Sequence, residues 1–401
     1  MIWAYYFFAA VLVWLSFKSF TGGIKYLRYF REQLSDPPSN FTPLVSIIAP
    51  YKGVDEDLEQ NIVALSDQDY PNFEIIFVVD DTRDPAVKKV STGGSSDRGN
   101  FTSKLVIANE TTTSSQKVEN LREAVLRASP DSQVFVFVDS DARVSEDWLR
   151  SLVAPLEDKR VGAASGYRWF ISKTPNFPSE MVSAWNASIA SALGANRPSN
   201  FCWGGSTAIR RETFEHLDIR KKWLGVLSDD FTLTHAVKDA GLDIVFVPQA
   251  LVATFHTSTF SEMIEFTNRQ MKITRVYGTS LWRMTLFGTG LFNGVLLASF
   301  LIIVLSRTNT LSVWISLGVL ALITTFSIAK AWLRLAAVRL ALPQHEAYLR
   351  RQFVPQNTLW LLTGPLFFFN SVVALLSRRI TWRGITYELK SRTETVIISG
   401  E

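Results

Sequence analysis

The chain has 401 residues, 47% of them hydrophobic and only 19% charged, with 41 Lys and Arg against 37 Asp and Glu. A net charge of +4 is too small to point to nucleic acid, and the single cysteine, Cys202, excludes an intrachain disulfide and a Cys-rich metal site. A soluble chain would carry about a quarter charged residues; here the deficit is concentrated in a few apolar segments, which predicts a soluble domain joined to membrane helices.

Met1 to Phe20 is apolar and aromatic and is followed by Lys25, Arg28 and Arg31. A signal peptide carries its positive charge before the apolar run. The order here predicts an uncleaved anchor whose basic flank stays cytoplasmic, the alternative being an N-terminal core helix. The membrane anchor is assigned to residues 1–22. Ser35 to Pro43 is a linker rich in Pro and Ser.

Leu44 to Pro50, Phe73 to Val79 and Val134 to Val138 are mainly apolar runs. Such runs read as strands buried on both faces, as in a parallel sheet. Leu105 to Ala108 reads as a further strand, and helical spacing over Leu58 to Asp67 and Lys117 to Ala128 supplies the crossovers. The segment Ser91 to Asn100 is glycine-rich but neither follows a strand nor opens a helix, so it is read as a loop and not as a phosphate cradle.

Three strands end in Pro50-Tyr51-Lys52, Asp80-Asp81 and Asp139-Ser140-Asp141. Open α/β sheets bind ligands at the carboxyl ends of their strands. Asp139 and Asp141, at i and i+2, can share one divalent cation whose remaining sites go to substrate phosphates, an arrangement usual for Mg²⁺; Mn²⁺ accepts the same oxygen ligands. The alternative is a solvated acidic turn. An acid-lined edge suits a nucleotide held through its sugar hydroxyls and base, with phosphates reaching the protein through a metal.

Val161 to Phe170 reads as a strand and Met181 to Leu193 as a helix. Gly204 and Gly205 let a backbone come close to a sugar, or form an ordinary tight turn. Asp229 and Asp230 precede a helix from Thr232 to Ala240, where acids favour the dipole. Glu262 to Tyr277 is amphipathic and basic, with Arg269, Lys272 and Arg275, and is expected at a membrane surface. Leu286 to Leu305 and Leu311 to Ala329 are each long enough to span a bilayer. Leu333 to Arg351 reads as an interfacial amphipathic segment, and Thr358 to Leu376 as a third apolar run broken by Gly364-Pro365. Four spans would leave the basic tail (Arg378, Arg379, Arg383, Lys390) on the outer side, against the positive-inside rule.

The segments VSIIAPYKGVD, DQDYPNFEIIFVVDDTRDPA, VFVFVDSDARV, FCWGGSTAIRRETFE and LSDDFTLTHAVKDAGLDIVFVP, in this order, resemble the nucleotide-sugar glycosyltransferases of GT-A family 2. The KGVD loop, the DYPxxE turn and the DDTRDPA segment resemble the ceramide glucosyltransferase branch. The resemblance covers about Val45 to Tyr277. It implies an α/β, Rossmann-like GT-A domain at residues 44–278 that includes the interfacial helix, a C-terminal membrane region at 284–377 and a basic tail at 378–401.

It also implies roles. Asp81 matches the acid that holds uracil or ribose, with Asp80 sharing that work and Lys52 beside the same donor site. Asp139 and Asp141 match the metal-binding pair, and Gly205 lines the donor-sugar pocket. Asp230, the second acid of its pair, matches the general base. Arg269, Gln270 and Lys272 fall where related enzymes close over the diphosphate, but Lys272 stands where Arg is usual and Ile273 where Trp is usual. A lysine cannot give the bidentate fork of an arginine; a plain solvated basic face is the alternative.

The function so implied is an inverting hexosyl transfer, with glucose as first choice, from a UDP-sugar to the hydroxyl of a membrane lipid. Ceramide leads as acceptor and diacylglycerol follows. A polysaccharide synthase and an inactive membrane scaffold are the rivals. The partners are the bilayer, the donor and the lipid, with no nucleic acid, and the catalytic domain is cytoplasmic. Cys202 has no neighbouring His to activate it as a nucleophile.

Overall fold

The computed structural model describes residues 2–93, 101–306 and 310–399, so most of the glycine-rich segment from Ser91 to Asn100 lies outside the described residues. The chain forms two compact units. One gathers Glu32–Lys173, Ala192–Thr257 and Arg378–Glu401; the other gathers Met1–Arg31, Thr174–Ser191 and Ser258–Ser377.

The first unit is built on a seven-stranded sheet. Its strands are β1 (Val45–Pro50), β2 (Phe73–Val79), β3 (Phe101–Ile107), β4 (Val134–Val138), β5 (Val161–Ile171), β6 (Ser206–Arg210) and β7 (Asp243–Phe255), in the order β3-β2-β1-β4-β6-β5-β7. Strands β1, β2 and β4 are buried at every position, as their mainly apolar sequences predict; the polar Ser46 and Glu74 are buried together, with the Ser46 hydroxyl donating to Glu74. β3 is longer than its apolar part, beginning at Phe101. It is the sheet edge, so its exposure is mixed, and Phe101 stacks on Phe73 with ring centroids 5.3 Å apart.

The pairings β1–β2, β2–β3 and β1–β4 are parallel, whereas β6 runs antiparallel to both β4 and β5. The chain winds outward from β1 to β3, then returns to add β4 on the other side of β1. The reversal lies between β1 and β4, the position where such sheets open a crevice at their carboxyl ends. Lys52 follows β1 and Asp139 follows β4, so both flank that crevice.

The tail is ordered. Three antiparallel strands, β8 (Arg379–Trp382), β9 (Ile385–Leu389) and β10 (Thr395–Ser399), form a second sheet in the order β10-β9-β8. β9 has a period-two pattern: Ile385, Tyr387 and Leu389 are buried on one face, between half-buried Thr386 and Glu388.

The second unit is helical. Ile2–Ser35, Thr279–Leu305 and Thr310–Ala341 are long and apolar enough to cross a membrane. Trp360–Leu376 has 17 residues with Pro365 inside it, shorter than the ~20 that a bilayer core needs. The separate interfacial segment expected at Leu333 to Arg351 is not formed as such. Residues 333–341 continue the helix Thr310–Ala341, Arg334 points inward to Gln356 (3.1 Å), and the chain turns at Pro343 before a short helix at Glu346–Arg351.

The helices Phe177–Ala190 and Phe260–Tyr277 belong to this helical unit and not with the sheet. Their partners explain the difference from the boundaries drawn on sequence. Trp185 stacks on Phe367 at 4.6 Å, and Asn370 donates to Thr267 (3.1 Å) and to Asn268 (2.8 Å). A Thr259–Glu262 capping box starts Phe260–Tyr277, and Arg275 donates to the carbonyls of Ala374 and Leu375 at the end of Trp360–Leu376, where a cation suits the dipole.

Candidate active site

Asp139 and Asp141 leave the end of β4 in a turn that is held from several sides. The Ser140 hydroxyl donates to Asp55, Asn61 donates to the Ser140 carbonyl (3.0 Å), and Arg143 donates to Asn61 (2.7 Å). The two carboxylates therefore have fixed positions. Each faces a cation that the sequence did not single out. Lys117 Nζ lies 2.7 Å from Asp139 and 3.4 Å from Asp229; Arg168 lies 3.1 Å from Asp141 and 3.8 Å from Asp139.

Lys117 is delivered by the start of the helix Gln116–Ala124, whose cap Ser115 accepts from the Val118 amide. Arg168 comes from β5, where the Trp203 ring stacks under its guanidinium at 4.6 Å and the Phe170 ring lies at 5.3 Å. Such cation–aromatic stacking fixes a planar guanidinium.

Burial and these charges set the proton affinities. Burial pushes Asp139 up, but Lys117 and Arg168 outweigh it and hold the carboxyl below its usual range. Burial raises Asp141 to about 6, against the pull of Arg168 and with the push of Asp139 and Asp55. Burial likewise raises Asp229 to about 6, opposed by Lys117 and reinforced by Asp230 and Asp139. Lys117 is held protonated: burial disfavours its charge, but Asp139 and Asp229 more than restore it.

The paired glycines are required by the site's own carboxylates. A Cβ on Gly204 would lie 2.1 Å from Asp229 Oδ2, and one on Gly205 would lie 2.7 Å from Asp139 Oδ2 and 2.3 Å from the Trp203 ring. The backbone passes so close to both acids that no side chain fits.

Asp230 sits in the first turn of the helix Asp229–Asp239, capped by Ser228. Its Oδ1 accepts from the Ser228 hydroxyl and from the Phe231 amide (2.7 Å). Asp230 is close enough to Lys117 and Arg168 to contribute to their charge stabilisation. Across the crevice Lys52 pairs with Asp80 at the ends of β1 and β2, while Asp81 holds Arg83 (2.8 Å) at the exposed rim. Asp80 Oδ1 is buried with no hydrogen-bond partner among the described residues.

Thus Lys52, Asp80, Asp81, Asp139, Asp141, Gly205 and Asp230 all belong to the sheet unit. Arg269, Gln270 and Lys272 lie on Phe260–Tyr277 in the helical unit; there Arg269 covers the Phe266 ring at 5.7 Å, and partial burial lowers the proton affinity of Lys272. Burial pushes the Cys202 thiol up to about 12, which leaves no thiolate for nucleophilic work.

A divalent cation fits this site chemically. Asp141 Oδ1 is buried with no hydrogen-bond partner among the described residues. Among the described residues, the carboxylates Asp55, Asp139, Asp141, Asp229 and Asp230 face the cations Lys117, Arg168 and Arg383, and a divalent ion would offset the negative excess. No cluster of three or more His, Cys, Asp or Glu able to hold a metal is present among the described residues, so the ion would depend on substrate oxygens for its other ligands.

Among solved structures, a mannosyltransferase from Pyrobaculum calidifontis in complex with GDP-Man and Mn²⁺ is 18% identical, with 83% of this chain and 98% of that chain covered and a TM-score of 0.50. Glucosyl-3-phosphoglycerate synthase from Mycobacterium tuberculosis, with Mn²⁺ and UDP-glucose, is 14% identical over 58% of this chain and 78% of that one; its TM-score of 0.36 is too low to bear on the fold. The model of glycosyl transferase family 21 matches residues 10–395. With almost the whole length matched, the chain belongs to glycosyl transferase family 21, the ceramide glucosyltransferase-like family, and is a GT-A glycosyltransferase.

Proposed function

We propose that this enzyme transfers a hexose, glucose first, from a UDP-sugar to the hydroxyl of a ceramide-like membrane lipid, with inversion. The observation that carries the reading is the buried cluster at the β1/β4 reversal, whose excess negative charge suits a metal–diphosphate. Family membership and the three apolar helices support a lipid acceptor. The nucleotide sugar and Mn²⁺ bound by the Pyrobaculum mannosyltransferase are compatible with the same donor chemistry.

In this reading Asp139 and Asp141 hold Mg²⁺ or Mn²⁺, which when bound neutralises charge on the departing diphosphate. Lys117 and Arg168 keep both acids fixed and favour their ionised forms. Asp80 and Asp81 receive the uridine, with Lys52 setting the orientation of Asp80. Gly204 leaves room for Asp229, and Gly205 for Asp139, beside the sugar. Asp230 takes the proton from the acceptor hydroxyl as that oxygen attacks the anomeric carbon. Its Oδ1 is oriented by Ser228 and by the Phe231 amide. One displacement inverts the anomeric centre.

The catalytic domain is cytoplasmic in this account. That the tail shares a compact unit with the catalytic sheet supports an even number of crossings within residues 278–378. The two long helices supply the crossings, and Trp360–Leu376 does not cross. Lys25, Arg28, Arg31 and the basic tail then all lie on the cytoplasmic side, and the conflict created by a fourth span disappears.

The test uses membranes containing the protein, given radiolabelled UDP-glucose, UDP-galactose or UDP-GlcNAc with Mg²⁺ or Mn²⁺. An alkali-stable labelled glycolipid is expected. An alkali-labile product would move the acceptor to diacylglycerol, and no lipid product with any donor would overturn the reading.

A further inference from the structure

The tail hairpin brings a third cation to the carboxylate cluster. β8 and β9 pair up to Trp382 and Ile385, so the connection is the two residues Arg383-Gly384. Both have positive φ, 51° and 81°, the backbone of a type I′ turn. Asn-Gly is the sequence such a turn favours. An arginine in the left-handed region is uncommon and strained, and such strain concentrates where a side chain has work to do.

The tip is firmly anchored. Tyr387 and Leu389 of β9 and Ile380 of β8 are buried, and the Tyr387 hydroxyl accepts from the Gln116 amide (3.2 Å), one residue before Lys117. Gly225 is glycine where Thr393 of the tail passes: a Cβ there would lie 2.8 Å from the Thr393 carbonyl oxygen. From this base Arg383 reaches Asp55, which is already bound to Ser140 within the D-x-D turn. Asp139 and Asp141 both lie within electrostatic reach of its guanidinium, while Tyr387, on the same hairpin, feels Asp80 at the nucleoside side. The hairpin therefore runs along the crevice from the proposed nucleoside acids to the proposed metal acids.

A guanidinium offers five N–H donors in a planar fork. Asp55 takes Nη2, and about two-fifths of the side chain remains accessible to solvent. We propose that Arg383 is a donor-binding residue: its guanidinium, held at the rim by Asp55, donates to the diphosphate of the nucleotide sugar, so that the segment after the membrane helices completes the donor site. The inference rests on the nucleotide-sugar reading above.

The test is calorimetric binding of UDP, with GDP as a second probe, to the full-length protein in detergent with Mn²⁺, for wild type, Arg383→Asn and Arg383→Lys. Arg383→Asn removes the charge but creates the turn sequence that the hairpin favours, so a weaker complex cannot be laid to a broken turn; the melting temperature checks this. Wild type is expected to bind one nucleotide. Arg383→Asn should weaken it by roughly 10- to 100-fold, the usual worth of a charge-assisted contact, with melting unchanged or raised and with Arg383→Lys in between. If wild type binds and Arg383→Asn binds as tightly or more tightly, Arg383 is no ligand, and tighter binding would make it a plug. If wild type binds neither nucleotide, the donor reading falls and this inference with it.

Discussion

Lys117 is the residue on which the site's electrostatics turn, because it is shared by Asp139 and Asp229. Removing one partner of a buried charge pair leaves the other uncompensated, at a cost of about 3–5 kcal/mol. Lys117→Met should therefore lower the melting temperature of the full-length protein and abolish transfer; an unchanged melting curve would show the pairing to be incidental. Gly205→Ala forces a methyl against Trp203 and Asp139 and should cut kcat strongly, with kcat measured at saturating donor. Asp229 gives the pH prediction. Its folded pKa, about 6, stands above the ordinary carboxylate value, so ionising it costs stability as pH rises through that window. The catalytic unit should melt higher as pH falls from 7 to 5. Transfer should run the other way, declining below about 6 as Asp229 is protonated and Lys117 loses half its counter-charge. Asp80, Asp81, Asp139 and Asp141 stood out in the sequence because they end apolar runs, whereas Asp230 was singled out only through the family resemblance. Lys117 and Arg168 did not stand out: each is a single cation in an ordinary helix start or strand, and it becomes significant only when β4, β5 and that helix converge.

At the level of elements, the sheet was readable for the same reason that it is stable. Apart from Ser46 and Glu74, which are hydrogen-bonded to each other, VSIIAP, FEIIFVV and VFVFV contain nothing that water would hold, so they pair in the middle. β8 to β10 were hidden because each is only four or five residues long and few of their positions are buried. The helix Phe177–Ala190 carries a different signal, a buried acid. Burial raises Glu180 to about 7, with only Gln352 favouring its ionised form. Its folded pKa exceeds the unfolded one, so ionisation weakens the helical unit as pH rises from about 4.5 through 7. Glu180→Gln should raise the melting temperature at pH 8 and leave it nearly unchanged at pH 4.5; the same gain at both would mean that charge is not the cause.

On the scale of the whole molecule, the proposed topology puts the tail on the same side of the membrane as the catalytic unit, with two C-terminal crossings. A two-sided labelling experiment tests it, with Cys202 silent because it is buried. Glu59→Cys in the catalytic unit and Lys390→Cys in the tail should react from one side of sealed vesicles. Thr310→Cys, at the start of the second long C-terminal helix, should react only from the other. Lys390→Cys reacting with Thr310→Cys would restore the fourth span.

The most direct test of the whole account separates binding from chemistry in Asp230→Asn. Donor and Mn²⁺ affinity would be measured on the same preparation as single-turnover transfer of labelled sugar to extracted lipid. The account predicts nucleotide affinity within about twofold of wild type and transfer slower by roughly 10²- to 10⁴-fold, the usual weight of a general base. Transfer at the wild-type rate with binding intact would contradict it, because the proton of the acceptor hydroxyl would then be leaving by another route.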